Sequence, residues 1–226
     1  HHSEGREDRA RWAERYFRLK KETEELERRI ESRSHVIART FDRVCGVLQE
    51  LDYLEGDTVT EDGRLLSRIY SELDLLAAES LRRGVWDALG PEELAACVSA
   101  LVYESRRPDE VFARVPSGPV EEALNAMMRL WGELSDIEHR HRVSFLREPD
   151  LGFVWPTYRW ARGDQLDHIL NEAGMPAGDF VRSTKQLIDL LGQIAQAVPE
   201  DSGVRTTARQ AADKLMRGVV AYTSVG

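Results

Sequence analysis

The residues whose types and spacing could do chemistry together are Arg182, Lys185, Gln186, Asp189, Gln193 and Gln196. At 3.6 residues per turn they share one face of the segment Ala177–Val198, and Phe180, Thr184, Leu187, Leu191, Ile194 and Val198 share the opposite face. Two cations, one carboxylate and three carboxamides make a mixed ladder of hydrogen-bond donors and acceptors. A helix built only to be solvated carries more Glu/Lys pairs and fewer glutamines. The pattern alone leaves two readings open: a face presented to a polar partner, or an ordinary amphipathic surface helix.

Other candidate centres are weaker. Glu138, His139 and His141 suggest a metal site, but side chains at i and i+2 on a helix point about 200° apart and cannot share one ion. A solvated basic patch is expected there, and no metal. Cys45 and Cys97 are isolated within apolar helical patterns, which predicts small buried thiols in a reducing compartment. Neither is set beside a histidine as a nucleophile would be. No G-x-x-x-x-G-K-[ST] loop and no Asp-Glu-x-His/Asp box occurs, so nothing here cradles a nucleotide, and no catalytic residue is expected.

The elements that must position the polar ladder are all helical. With 226 residues, 42% hydrophobic and 31% charged, the chain can bury one sizeable core and carry an extended arm. His1-His2-Ser3 reads as either a tag remnant or native sequence. No run is long and apolar enough for a membrane span, and no membrane partner is expected. The spacing of Trp12, Tyr16 and Leu19, followed by Leu26 and Ile30, predicts a charged, coiled-coil-like arm helix over Glu7–Ser32. Val36, Ile37, Phe41, Val44, Cys45, Leu48 and Leu51 predict a buried helix over Ser34–Leu54.

Glycines and Asx residues then predict a tight turn or minimal hairpin near residues 55–63, and a helix from Gly63 to Arg83 capped by Gly84. Pro91 starts a helix expected to reach Ser105, and a proline-rich loop covers 106–119. Further helices are expected over Val120–Leu146, Val154–Arg162, Gln165–Ala173, Ala177–Val198 and Val204–Tyr222. The expected fold class is all-α, with residues 1–33 forming the arm and 34–226 the helical domain.

The formal net charge is −9, so a free nucleic acid would be repelled by the molecule as a whole. From Arg6 to Arg43, however, twelve Lys/Arg face nine Asp/Glu. Any contact with phosphate elsewhere has to be a local groove.

The run Gly63-Arg64-Leu65-Leu66-Ser67-Arg68-Ile69-Tyr70-Ser71-Glu72-Leu73-Asp74-Leu75-Leu76-Ala77-Ala78-Glu79, with Pro91-Glu92-Glu93-Leu94-Ala95-Ala96, resembles the C-terminal helical (DSHCT) domain of superkiller-type DExH-box RNA helicases, most like the HelY-type members. The resemblance extends from about Arg33 to Tyr222. In that family Ala177–Val198 resembles the ratchet helix, which contacts the single strand between motor strokes. Gly178, Phe180, Val181, Arg182, Lys185 and Leu187 match its pattern, Asp189 takes an acidic place, and Gln186 stands where the family often has arginine.

The resemblance implies RNA contacts at Glu104, Arg182, Lys185, Gln186 and Asp189, and base stacking at Tyr158 and Trp160 within the aromatic tract ending at Gly163. It also implies that the arm is the returning strand of the family's arch or stalk insertion. The parent enzyme would then hold ATP and Mg in RecA-like domains outside this chain, and the chain itself would need no cofactor. The implied partners are single-stranded RNA or DNA, those RecA-like domains and RNA-degrading enzymes, in the cytoplasm. A helical protein–protein adaptor that docks through its arm is the alternative.

Overall fold

The computed structural model describes residues 4–106 and 113–222. Ten helices and one two-stranded hairpin are found among them, so the fold is all-α. The chain divides at Gly46/Val47 into two units.

The first unit is carried by α1 (Glu4–Glu50), one uninterrupted helix where the sequence suggested two. Its apolar side chains are open to solvent. Trp12, Leu26 and Ile30 are 69%, 56% and 64% exposed. The burial expected over Ser34–Leu54 holds only for its last turns: Val47 and Leu51 are buried, while Val36, Ile37 and Phe41 are exposed. Cys45 is half-buried and Cys97 fully buried. Burial pushes the Cys97 thiol up to about 12, with the Glu93 carboxylate adding to the effect, so it stays protonated and inert.

Within the second unit α1 ends where Asp52 adopts φ 61°, and the Tyr53 and Asp52 amides return to the Leu48 and Gln49 carbonyls as a Schellman end. Strands β1 (Leu54–Glu55) and β2 (Thr58–Val59) pair antiparallel as the minimal hairpin. Thr60 caps α2 (Glu61–Ser67), accepting from the Gly63 amide at 3.1 Å and donating to the Asp52 carbonyl at 2.7 Å. A Cβ on Gly63 would lie 2.2 Å from the Tyr53 carbonyl oxygen, so only glycine lets α2 close on the hairpin.

The helix expected from Gly63 to Arg83 is two: α2 and α3 (Asp74–Arg82). Buried Ile69 and Leu73 pin the break, and the freed Tyr70 amide donates to the Gln193 side chain at 2.8 Å. Tertiary contacts outweigh local helix propensity there. Gly84 ends α3 as expected, with φ 67° and the Schellman bonds Val85 N–H to Ser80 O and Gly84 N–H to Leu81 O. Below it, the buried Glu79 carboxylate accepts from the Tyr53 hydroxyl at 2.7 Å and pairs with Arg82 at 2.6 Å and Arg83 at 3.2 Å.

Helix α4 (Pro91–Val102) is the centre of this unit, buried continuously from Leu94 to Leu101 and packed against α5, α6, α8 and α9. It stops three residues short of the expected Ser105. α5 (Pro119–Arg140) also ends early, because buried Glu138 accepts the Phe145 and Leu146 amides at 3.1 and 3.0 Å and folds the following segment back. A 3-10 turn at Leu151–Phe153 leads into α6 (Val154–Ala161), then α7 (Leu166–Ala173), α8 (Ala177–Ala197), α9 (Gly203–Leu215) and α10 (Gly218–Tyr222). The last two were expected as one helix. Arg217 interrupts them by donating to the Trp160 carbonyl at 2.7 Å and the Asp164 carbonyl at 2.6 Å.

Candidate functional site

α8 is positioned by its apolar face. Phe180, Leu187, Leu191 and Ile194 are wholly buried, and Ser183 and Leu190 widen the covered stripe beyond the expected set. Phe180 anchors the N-terminal end, edge-on to Phe153 at 5.6 Å and to Trp160 at 5.4 Å. Arg182, Gln186, Asp189 and Gln196 are exposed on the other side, with Lys185 and Gln193 half-exposed.

That polar face forms one wall of a groove of about 490 Å³. The opposite wall comes from Tyr70 and Glu72 in the break between α2 and α3, from Glu104 just beyond α4, and from Arg147. Four of the five expected contact residues, Glu104, Arg182, Gln186 and Asp189, therefore meet in one concavity. Lys185 lies further round the helix, outside the lining.

The groove is rich in hydrogen-bond acceptors. Arg147 is held by Glu72 at 3.0 Å and donates to the Leu101 carbonyl at 3.0 Å. Arg182 is tethered at 2.8 Å to Asp179, which also holds Arg106 at 3.0 Å. Arg106 is thus engaged away from Glu104. Among the described residues Glu104, Gln186 and Asp189 make no side-chain hydrogen bond or ion pair. Such a lining suits amino and hydroxyl donors better than phosphate.

Trp160 is a correction. It is 2% exposed, its indole N–H donates to the Leu215 carbonyl at 3.0 Å, and the Arg217 guanidinium lies 3.4 Å from its ring centroid. No ring face is left for a base. Tyr158 is half-buried, with Arg162 over its ring at 5.4 Å, and does not line this groove. The aromatic that does is Tyr70, 79% exposed.

Tyr70 was missed because it falls inside the helix expected from Gly63 to Arg83, and Arg147 because it lies just past the helix expected to end at Leu146, where no local pattern marks it. Asp179 was detectable as an i, i+3 partner of Arg182. At the far end of α5, His141 is not free for a metal, since it and Arg140 both close on Glu50, with His141 at 2.5 Å. Those two partners outweigh desolvation and hold the Glu50 carboxyl below its usual range. Among the described residues no group of three or more His, Cys, Asp or Glu is placed to hold a metal ion. No helix among them is long and apolar enough to cross a membrane.

The second unit is an all-α helical domain that presents the polar face of one helix to a groove. The chain belongs to the DSHCT (NUC185) domain family, which matches residues 56–223. It is 45% identical to the Probable helicase HelY of Mycobacterium tuberculosis, an alignment covering 98% of this chain and 26% of that protein. It is 29% identical to Superkiller complex protein 2 of Mus musculus, over 77% of this chain and 14% of that one. It is 25% identical to the DExH-box ATP-dependent RNA helicase DExH9 of Arabidopsis thaliana, over 79% and 19%. The chain spans about a quarter or less of the length of these relatives.

Proposed function

We propose that this chain is the strand-guiding domain of an ATP-dependent RNA helicase, with α8 as the helix along which the unwound single strand slides. ATP and Mg would be held by RecA-like domains outside the chain, and this domain would brace them. The observation that carries the proposal is the convergence of Arg182, Gln186, Asp189 and Glu104 in one groove. Acceptors at Glu104 and Asp189 take hydrogen bonds from base amino groups and from 2′-hydroxyls, which favours RNA over DNA. Tyr70 offers an open ring on which a base can stack.

Contacts of this kind, few and without a net positive charge, let the strand advance between strokes. The test is the double variant R182A/D189A in the full-length protein. Unwinding should fall about tenfold while RNA-stimulated ATP hydrolysis changes less than twofold. Unwinding at the wild-type rate would refute the site.

A second reading, a protein–protein adaptor, is favoured by the exposed apolar side chains of α1. Stoichiometric binding of a protein by residues 4–46, independent of RNA, together with unchanged unwinding by R182A/D189A, would put it first.

A further inference from the structure

A second groove, of about 670 Å³, lies against the other end of α8, where Gln196 and Val198 meet α2 and the start of α9. Arg64 and Arg68, spaced i, i+4 on and just after α2, line it together with Arg205 of α9. Among the described residues none of these three guanidinium groups makes an ion pair. Glu61, Asp87 and Glu200 also line the groove, yet none of them closes on an arginine. The fourth arginine there, Arg82, is already engaged by Asp62 at 3.2 Å and Glu79 at 2.6 Å. The three open arginines therefore keep all their N–H donors, in the fork geometry that matches phosphate oxygens.

The two grooves are bordered by neighbouring residues of α8 and of the segment around residues 68–70. Gln193 lines the first groove and Gln196 the second, one helical turn apart on α8. Across from them, Arg68 lines the second groove and Tyr70 the first, and the Tyr70 amide is fastened to Gln193 at 2.8 Å. A strand lying along the first groove and following α8 toward its C-terminal end would meet the second. The chemistry changes along the way, from acceptors facing bases and ribose to donors facing the backbone.

We propose that the second groove is a phosphate subsite for the same single strand, with Arg64, Arg68 and Arg205 as its backbone contacts. It rests on the first groove being the strand's path. It also accounts for RNA contact by an acidic domain, since a few local phosphate contacts suffice where the overall field is repulsive.

The test is the salt dependence of oligouridine binding by the full-length protein, read by fluorescence anisotropy. Each phosphate contact to a single strand contributes about 0.7 to the slope of log K against log salt. R64Q/R68Q/R205Q should therefore flatten the slope by about 2, and R64K/R68K/R205K should restore it. R182A/D189A should weaken binding with little change in slope.

If the glutamine variant keeps the wild-type slope while R182A/D189A weakens binding, the phosphate subsite is refuted and the first groove stands. If neither variant alters binding, both fall together. If the glutamine variant keeps its slope but lowers the melting temperature of the full-length protein, the arginines hold a protein neighbour, and the subsite is again refuted.

Discussion

The second half of α1, over residues 34–50, and α8 both carry apolar residues at helical spacing and meet different fates. On α8 the apolar face is covered completely, and Phe180 is 0% exposed. On α1 the aromatic Phe41 is 67% exposed. Periodicity says that a face is suited to burial; it does not say that the chain itself supplies the cover. What distinguishes the two is the density of partners: α8 packs against α4 and α9, both rich in small residues that allow close approach.

The sharpest way to break this comparison is a matched pair of truncations. Phe180→Ala removes a ring packed between Phe153 and Trp160 and should cost about 3–5 kcal/mol in urea unfolding. Phe41→Ala should change stability by less than about 0.5 kcal/mol, because its ring is already in water. Similar losses at both positions would mean that α1 is covered in solution.

The same contrast explains what could be read before the fold was known. The α8 stripe, the Gly84 cap, the Pro91 start and the hairpin near 55–63 follow from local chemistry, and each is present. Of the groove residues, Arg182, Gln186 and Asp189 were legible for the same reason, since they lie on one helical face, whereas Glu104 was indicated only by the resemblance to the helicase family. The breaks at 68–73, after Arg140 and at 216–217 were not legible. Each depends on a distant partner: Gln193 for Tyr70, Glu138 for the 145–146 amides, and the Trp160 carbonyl for Arg217. Trp160 was misassigned because an aromatic tract looks alike whether it packs inward or faces outward.

Glu138 sharpens the comparison for charged residues. Glu138→Ala leaves two half-covered amides without their acceptor and should cost about 1–2 kcal/mol. Glu31→Ala, on the exposed arm, should fall within about 0.5 kcal/mol of wild type. Hydrogen exchange should also rise at the Phe145 and Leu146 amides in the first variant. Unchanged protection there would show that Glu138 does not hold the segment.

The smallest effect tests whether the covered unit penalises charge at its edge. Burial pushes the Asp74 carboxyl up to about 6; the Leu75 amide opposes this and the Glu138 carboxylate adds to it. The folded state therefore binds the proton more tightly than the unfolded chain, whose carboxyl titrates near its ordinary value of about 3.9. Stability must then fall as pH rises from about 4 to 6 and level off above, the opposite of a salt-bridged carboxylate. Asn at this position can still accept the Leu75 amide but has no charge to bury. Measured by urea unfolding, the stability of D74N relative to wild type should rise by about 1 kcal/mol between pH 4 and pH 7, a figure reduced for solvent screening of a half-buried group. Parallel profiles would mean that Asp74 reaches water as freely as the carboxylates of α1, and that the covered unit is looser at α3 than its packing implies.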